Sequence, residues 1–174
     1  TGHFPVTSGK IWFNGKPFTQ VSPWMAVRAG IALAPEERKT QGLFLQLGVA
    51  LNILLPRLRE LSKIFGLLDW ISINNISSLF VKELEIKTPT LWQQVRYLSG
   101  GNQQKLILAR WLAKECKVLF LDEPTRGVDV SGKREIMKLI RKKAAEGLSF
   151  IVISSEAEEL LEICDRLMVL SRGE

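Results

Sequence analysis

Val118-Leu119-Phe120-Leu121-Asp122-Glu123-Pro124-Thr125 sets four apolar residues directly before two carboxylates. An apolar run without polar alternation is the pattern of a strand in the middle of a parallel sheet, covered on both faces. The proline ends it sharply, and the carboxylates emerge at the C-terminal end, where open α/β sheets bind ligands. An aspartate there can hold Mg²⁺, usually through water, and the adjacent glutamate can polarise an attacking water.

Upstream lies Leu98-Ser99-Gly100-Gly101-Asn102-Gln103-Gln104-Lys105. Two glycines permit close backbone approach, and the helix expected over Asn102 to Lys114 aims free N–H groups at whatever sits there. A serine N-cap with a plain entry turn would account for Ser-Gly-Gly in isolation. The acidic motif some twenty residues later makes a phosphate site the better reading.

Beyond Thr125 the sequence predicts a basic amphipathic helix closed by Gly147, with Ile136, Ile140 and Ala144 four apart and Met137 alongside. Lys133, Arg134, Lys138, Arg141, Lys142 and Lys143 form its basic, solvated face. A strand at Phe150 to Ile153, an acidic helix at Glu156 to Ile163 and a strand at Arg166 to Leu170 follow. Toward the N-terminus, Asn14-Gly15 signals a hairpin, a helix is expected over Pro23 to Ala29, and Ile31 to Ala34 reads as a short strand. Residues 43–98 carry leucine-rich helical stretches broken by Pro56, Gly66 and Pro89, with Trp70 and Trp92 as packing residues. Alternation of strand and helix after Gly101 is the rhythm of an open parallel sheet.

The 174 residues suit one domain, with 46% apolar and 24% charged residues, ordinary values for a globular chain. No apolar stretch approaches the length needed to cross a bilayer. Cys116 and Cys164 are isolated and His3 is the sole histidine, so a zinc site or disulfide scaffold is excluded; buried thiols in a reducing compartment are expected. Net charge is +6, yet the basic run lacks interleaved aromatics, which argues against nucleic acid as a partner.

Leu-Ser-Gly-Gly-Asn-Gln-Gln-Lys followed by Leu-Phe-Leu-Asp-Glu-Pro-Thr resembles the signature motif and Walker B of ATP-binding cassette (ABC) ATPases. With Thr-Arg-Gly-Val-Asp-Val at 125–130 and Ala-Pro-Glu-Glu-Arg-Lys at 34–39, the chain is similar to the C-terminal nucleotide-binding domain of bacterial ribose/galactose/xylose-type sugar importers. The resemblance implies an α/β fold: a truncated ABC-type P-loop NTPase domain with a RecA-like parallel sheet, a residual antiparallel β part and an α-helical signature subdomain. It implies three regions: residues 1–42 with the β part and Q-loop-equivalent segment, 43–113 as the helical subdomain ending in the signature helix, and 114–174 as the core with Walker B, D-loop and switch segment.

It further implies ATP and Mg²⁺ as ligands. Asp122 would organise the metal and Glu123 act as general base, while Ser99, Gly100, Gly101 and Asn102 would contact the γ-phosphate of a nucleotide held mainly by an opposite domain. Asp129 would lie in the loop that communicates across that interface. Glu36 stands where most relatives have a glutamine sensing phosphate and metal, and Ser155 where most have a switch histidine. Serine can hydrogen-bond phosphate but does not titrate near neutrality. Ser155 also has a structural explanation, a capping box with Glu158. The implied partners are a second nucleotide-binding domain, transmembrane permease subunits and a periplasmic solute-binding protein, which places the chain peripherally on the cytoplasmic side of the inner membrane.

Such an ATPase grips phosphate with Gly-x-x-x-x-Gly-Lys-Ser/Thr. The near match here, Gly127 to Gly132-Lys133-Arg134, has arginine in place of the hydroxyl and reads as coincidence. In the family the true loop and its helix precede a turn that runs from a proline to a glycine, here Pro5-Val-Thr-Ser-Gly9, so the chain is expected to be a fragment that binds ATP weakly alone. Three functions are weighed: the motor of a sugar importer, a non-hydrolysing domain that donates only its signature helix, and a soluble ABC ATPase of DNA repair or translation. The last is disfavoured, because residues 43–98 leave little room for a long coiled-coil or specialised insertion.

Overall fold

A computed structural model of the chain describes residues 8–19, 22–63 and 66–170. The Pro5 turn and His3 fall largely outside them. Strands β1 (Trp12–Phe13) and β2 (Lys16–Pro17) form an antiparallel hairpin. Asn14 and Gly15 both take left-handed backbone (φ 51° and 71°), the geometry a tight two-residue hairpin turn requires.

Helix α1 (Pro23–Ala29) has Ser22 accepting from the Met25 N–H at its start and ends on Gly30 at φ 93°. It feeds β3 (Ile31–Ala34), the first strand of a parallel sheet ordered β3-β4-β5, with β4 (Val118–Asp122) central and β5 (Ser149–Ile153) at the edge. Leu121 lies in register with both Ala34 and Val152.

The sheet is not covered equally on both faces. Ala32, Ala34, Leu119 and Leu121 are buried in the core, with Phe150 and Val152 packed against it. The opposite face carries Phe120, half-buried, and Ile151 and Ile153, exposed. β4 therefore alternates buried and half-buried instead of being uniformly covered: its inward side chains join the core shared with the helices, and Ile151 and Ile153 of β5 on the other face stay about half exposed.

The apolar run 166–170 forms no strand, contrary to the sequence expectation. Helix α6 (Ala157–Ile163) ends, the chain bends, and Leu167 to Leu170 ladder against no described strand. Without a ladder, extended backbone gains no hydrogen bonds to offset its ordering, and Met168 and Val169 remain over four-fifths exposed.

Helices α2 (Val49–Leu54), α3 (Trp70–Glu83) and α4 (Gly100–Ala113) form the helical layer. Asp69 caps α3 by accepting from Ser72 N–H, and Pro56 sits in the 3₁₀ turn (Leu55–Arg57) that closes α2. Val49, Ile53, Ile73, Val95, Leu106 and Ile107 are fully enclosed. Helix α4 belongs to both layers, so helical and sheet residues share one core. Trp70 and Trp92 form an edge-to-face pair with centroids 5.6 Å apart, but both are about half exposed, so they pack on each other at the surface.

Helix α5 (Val130–Ala145) buries Ile136, Met137 and Ile140. Lys143 takes the fourth buried place in place of Ala144, its ammonium paired with Glu83 and with Glu146. Burial opposes charge on Lys143, but bonds to the two carboxylates prevail and raise its pKa. Part of the expected solvated basic face is thus an ion-paired seam.

Both thiols are half-buried and free; burial pushes Cys116 up to about 11 and Cys164 in the same direction. No group of metal-ligating side chains of the zinc type occurs among the described residues, and no described helix is long and apolar enough to cross a membrane.

Candidate functional site

Asp122 closes β4 in register with Ile153 of β5, so the two strand ends bring residues 122–123 and 154–155 side by side. The Glu123 N–H donates to the Ile153 carbonyl at 2.9 Å, and Glu123 has φ 46°, left-handed backbone that is unusual for a residue with a side chain. That turn aims its carboxylate back across the sheet end, where Oε1 accepts the main-chain N–H of Ser155 at 2.7 Å. Asp122 is half-buried, and its carboxylate accepts no hydrogen bond and makes no ion pair among the described residues. A solvent-accessible carboxylate with no described protein partner, at the C-terminal end of a strand, is free to take a hard divalent cation.

Ser155 is present at the site through its backbone. The expected capping box does not form: α6 starts at Ala157, Glu156 caps it without a side-chain bond, and the Glu156 N–H goes to Ser154 Oγ. The Ser155 amide is unavailable to the helix because Glu123 holds it.

The Ser99 end forms a second group. Ser99 Oγ accepts from Asn102 N at 3.5 Å and from Asn102 Nδ2 at 2.9 Å, while Asn102 Oδ1 accepts the Lys87 N–H. Helix α4 starts at Gly100, two residues before the expected Asn102. The two glycines serve packing as well as any ligand. A Cβ on Gly101 would touch Val128 and the Gly132 backbone, so α4 and α5 approach closely there, and one on Gly100 would collide with Arg38 Nη2 and the Gly127 carbonyl, both 2.8 Å away.

Asp129 caps α5, its Oδ1 accepting Gly132 N–H at 2.8 Å. Glu36 is ion-paired with Arg126. The structure thus joins Asp122, Glu123 and Ser155 in one cluster. Gly100 and Gly101 instead meet the loop from Gly127 to Asp129, with Glu36 attached to that loop through Arg126.

The Gly127-to-Lys133 near match is no phosphate cradle. Gly132 lies within the first turn of α5, and Lys133 Nζ is held by Glu156 at 2.6 Å and Glu159 at 3.0 Å, bonds that raise its pKa. Glu159 also accepts from the buried Thr125 hydroxyl at 2.5 Å, which ties the loop after β4 to α6. Sequence reasoning gave no role to Thr125, Glu159, Arg38 or Arg126. Their side-chain partners lie 26 to 90 residues away, beyond any local spacing rule.

A family model described as ABC transporter matches residues 1–126. The chain belongs to the ABC transporter family. Over 172 residues, 99% of its length, this ABC chain is 45% identical to a ribose/galactose/methyl galactoside import ATP-binding protein 1 from Agrobacterium fabrum. It is also 45% identical over 168 residues to a protein of the same name from Rhizobium meliloti, covering 97% of the chain. It spans about a third of the length of these relatives (34% and 33%).

Among solved structures it superposes on the ADP conformation of an ATP-binding cassette of an ABC transporter, with TM-score 0.75 at 19% identity, over 95% of this chain and 66% of that one. A dimeric post-hydrolysis cassette bound to ADP and Pi gives TM-score 0.70 at 20% identity, over 90% of this chain and 66% of the other. At such identity these likenesses establish the α/β cassette fold.

Proposed function

We propose that the chain is part of the ATP-hydrolysing component of an importer for a sugar or similar small solute. The carrying observation is Glu123, turned by a left-handed backbone and held by Ser155 N–H beside the unpartnered Asp122. The relatives' names, ribose/galactose/methyl galactoside import ATP-binding proteins, support the same reading.

In this reading Asp122 holds Mg²⁺, which when bound neutralises charge building on the phosphates. Glu123 takes the proton of the water that attacks the γ-phosphorus, and the Ser155 amide keeps its carboxylate on line. Ser99, Gly100, Gly101 and Asn102 face a nucleotide held mainly by a second nucleotide-binding domain, with Asp129 in the loop at that interface. Glu36 lies near the transferred phosphate, its charge offset by Arg126. Residues 43–113 form the helical subdomain that faces permease subunits at the cytoplasmic side of the inner membrane, and a periplasmic binding protein delivers the solute. Closure of the two domains pulls on the permease and hydrolysis resets it. Reconstituted into vesicles with its permease, the intact protein is expected to couple phosphate release to uptake of a pentose or hexose. Hydrolysis with no sugar uptake overturns the reading.

Residues 1–174 contain no Gly-x-x-x-x-Gly-Lys-Ser/Thr, and the one lysine at the right spacing is committed to Glu156 and Glu159. This chain alone is therefore expected to bind Mg-ATP with Kd of about 1 mM or weaker, roughly 4 kcal/mol, in a calorimetric titration. Micromolar affinity would contradict it.

A second reading is a domain that only donates its signature helix. It is favoured by Glu36, whose carboxylate is already occupied by Arg126. The two readings part on the consequence of replacing Glu123.

A further inference from the structure

We propose that Arg38 is a positioning residue that locks the loop after β4 to the first turns of α4, so that the Glu123 and Ser99 ends of the site move as one. The inference rests on the ATPase reading above for its catalytic consequence, though not for its geometry.

Arg38 opens a π-helical turn (Arg38–Gly42) just after β3, and its guanidinium reaches three places at once. Nη1 donates to the Arg126 carbonyl at 2.5 Å, Nη2 to the Gly127 carbonyl at 2.9 Å, and Nε to Gln103 Oε1 at 3.4 Å. Gln103 is buried in α4 and donates in turn to the Val95 carbonyl at 3.1 Å. On the other side, Arg126 N–H donates to the Glu123 carbonyl at 3.1 Å. An unbroken series therefore runs from the backbone of Glu123 through Arg126 and Arg38 to Gln103, four residues past Ser99.

The surroundings are shaped to admit this one side chain. Gly127 is left-handed (φ 65°), and a Cβ there would come within 3.3 Å of Nη2. A Cβ on Gly100 would lie 2.8 Å from the same nitrogen. Two glycines from different elements thus leave a notch that the guanidinium fills. Arg126 reciprocates, sending its own side chain back to Glu36, two residues before Arg38. The crossing links make residues 36–38 and 126–127 one unit. Only a planar fork can serve two adjacent carbonyls and a side-chain amide together; a lysine ammonium lacks that geometry.

The test compares Arg38→Ala and Arg38→Lys with the unsubstituted chain by hydrogen exchange. The amides of Arg126 and Val128, bonded within the loop, should exchange about tenfold faster in both variants, with β4 and the interior of α4 unchanged. Guanidinium ion added to Arg38→Ala should restore protection, and sodium chloride at equal ionic strength should not. Unchanged exchange at both amides overturns the proposal. So does a rise spread evenly over β3, β4 and α4, which would mark Arg38 as a general stabiliser.

In the intact transporter the same variants should lower kcat about tenfold while KM for ATP moves less than twofold, since the nucleotide is gripped elsewhere. A rise in KM at unchanged kcat overturns the positioning role. If the unsubstituted transporter hydrolyses no ATP, the proposed function fails, and the exchange experiment still decides the role of Arg38.

Discussion

Glu123→Gln in the intact transporter is expected to lower ATP turnover by about 10²- to 10⁴-fold, the usual range for loss of a positioned general base. The amide can still accept the Ser155 N–H, so geometry survives while proton acceptance does not. Phosphate release and solute uptake should fall together. If uptake persists, this domain donates only its signature helix and hydrolysis occurs elsewhere. Ser155→Ala in the same assay should change turnover by less than about twofold, because the hydrogen bond to Glu123 comes from the main chain. Ser155→Pro, which removes that N–H, should resemble a weakened Glu123. Equal losses for the alanine and proline variants would mean that the hydroxyl, and not the amide, carries the contact.

Local chemistry made much of the fold legible. Asn14-Gly15 names its turn because both residues tolerate positive φ; Ser22-Pro23 and Gly30 bracket α1 by capping rules; Val118 to Leu121 could scarcely be other than a strand. The misreadings arose where a partner decides the outcome. Leu167 to Leu170 have strand composition, but a strand exists only if another ladders with it. Ser155 and Glu158 have capping-box spacing, but the Ser155 amide is claimed by a carboxylate 32 residues earlier. Lys143 looked solvated on its own helix and is buried by Glu83, which arrives from α3.

The site divides the same way. Asp122, Glu123 and Ser99 announce themselves by residue type beside a strand end and a helix start. Nothing local distinguishes Arg38 from Lys39, or Thr125 from any loop threonine. Their importance lies in contacts to Gly127 and Glu159 that only the folded chain creates.

Arg110 is the position where one substitution should most damage the fold itself. It lies in α4, 6% exposed, with Nε donating to the Asn52 carbonyl at 2.7 Å, Nη1 to the Gly42 carbonyl at 2.5 Å and Nη2 to Asn52 Oδ1 at 2.9 Å. Asn52, fully buried in α2, uses its remaining groups on Phe44 N, Phe44 O and Gly48 O. The pair therefore organises the whole turn from Gly42 to Gly48 and pins it to α4. Among the described residues no carboxylate neutralises this cation, and burial lowers its pKa to about 10, so it stays charged at neutral pH and is stabilised by carbonyl dipoles. Arg110→Ala leaves the Asn52 and Gly42 carbonyls without this donor, leaves Asn52 Oδ1 with the Phe44 N–H alone and opens a cavity, so the expected cost is about 3–5 kcal/mol. For a chain of this size that is a fall in Tm on the order of 10 °C, with a matching drop in the urea midpoint. Arg110→Met keeps most of the side-chain volume but supplies no donor. A loss for Met close to that for Ala assigns the stability to the hydrogen bonds, whereas near-complete recovery with Met would show that packing volume dominates and that the acceptors find water.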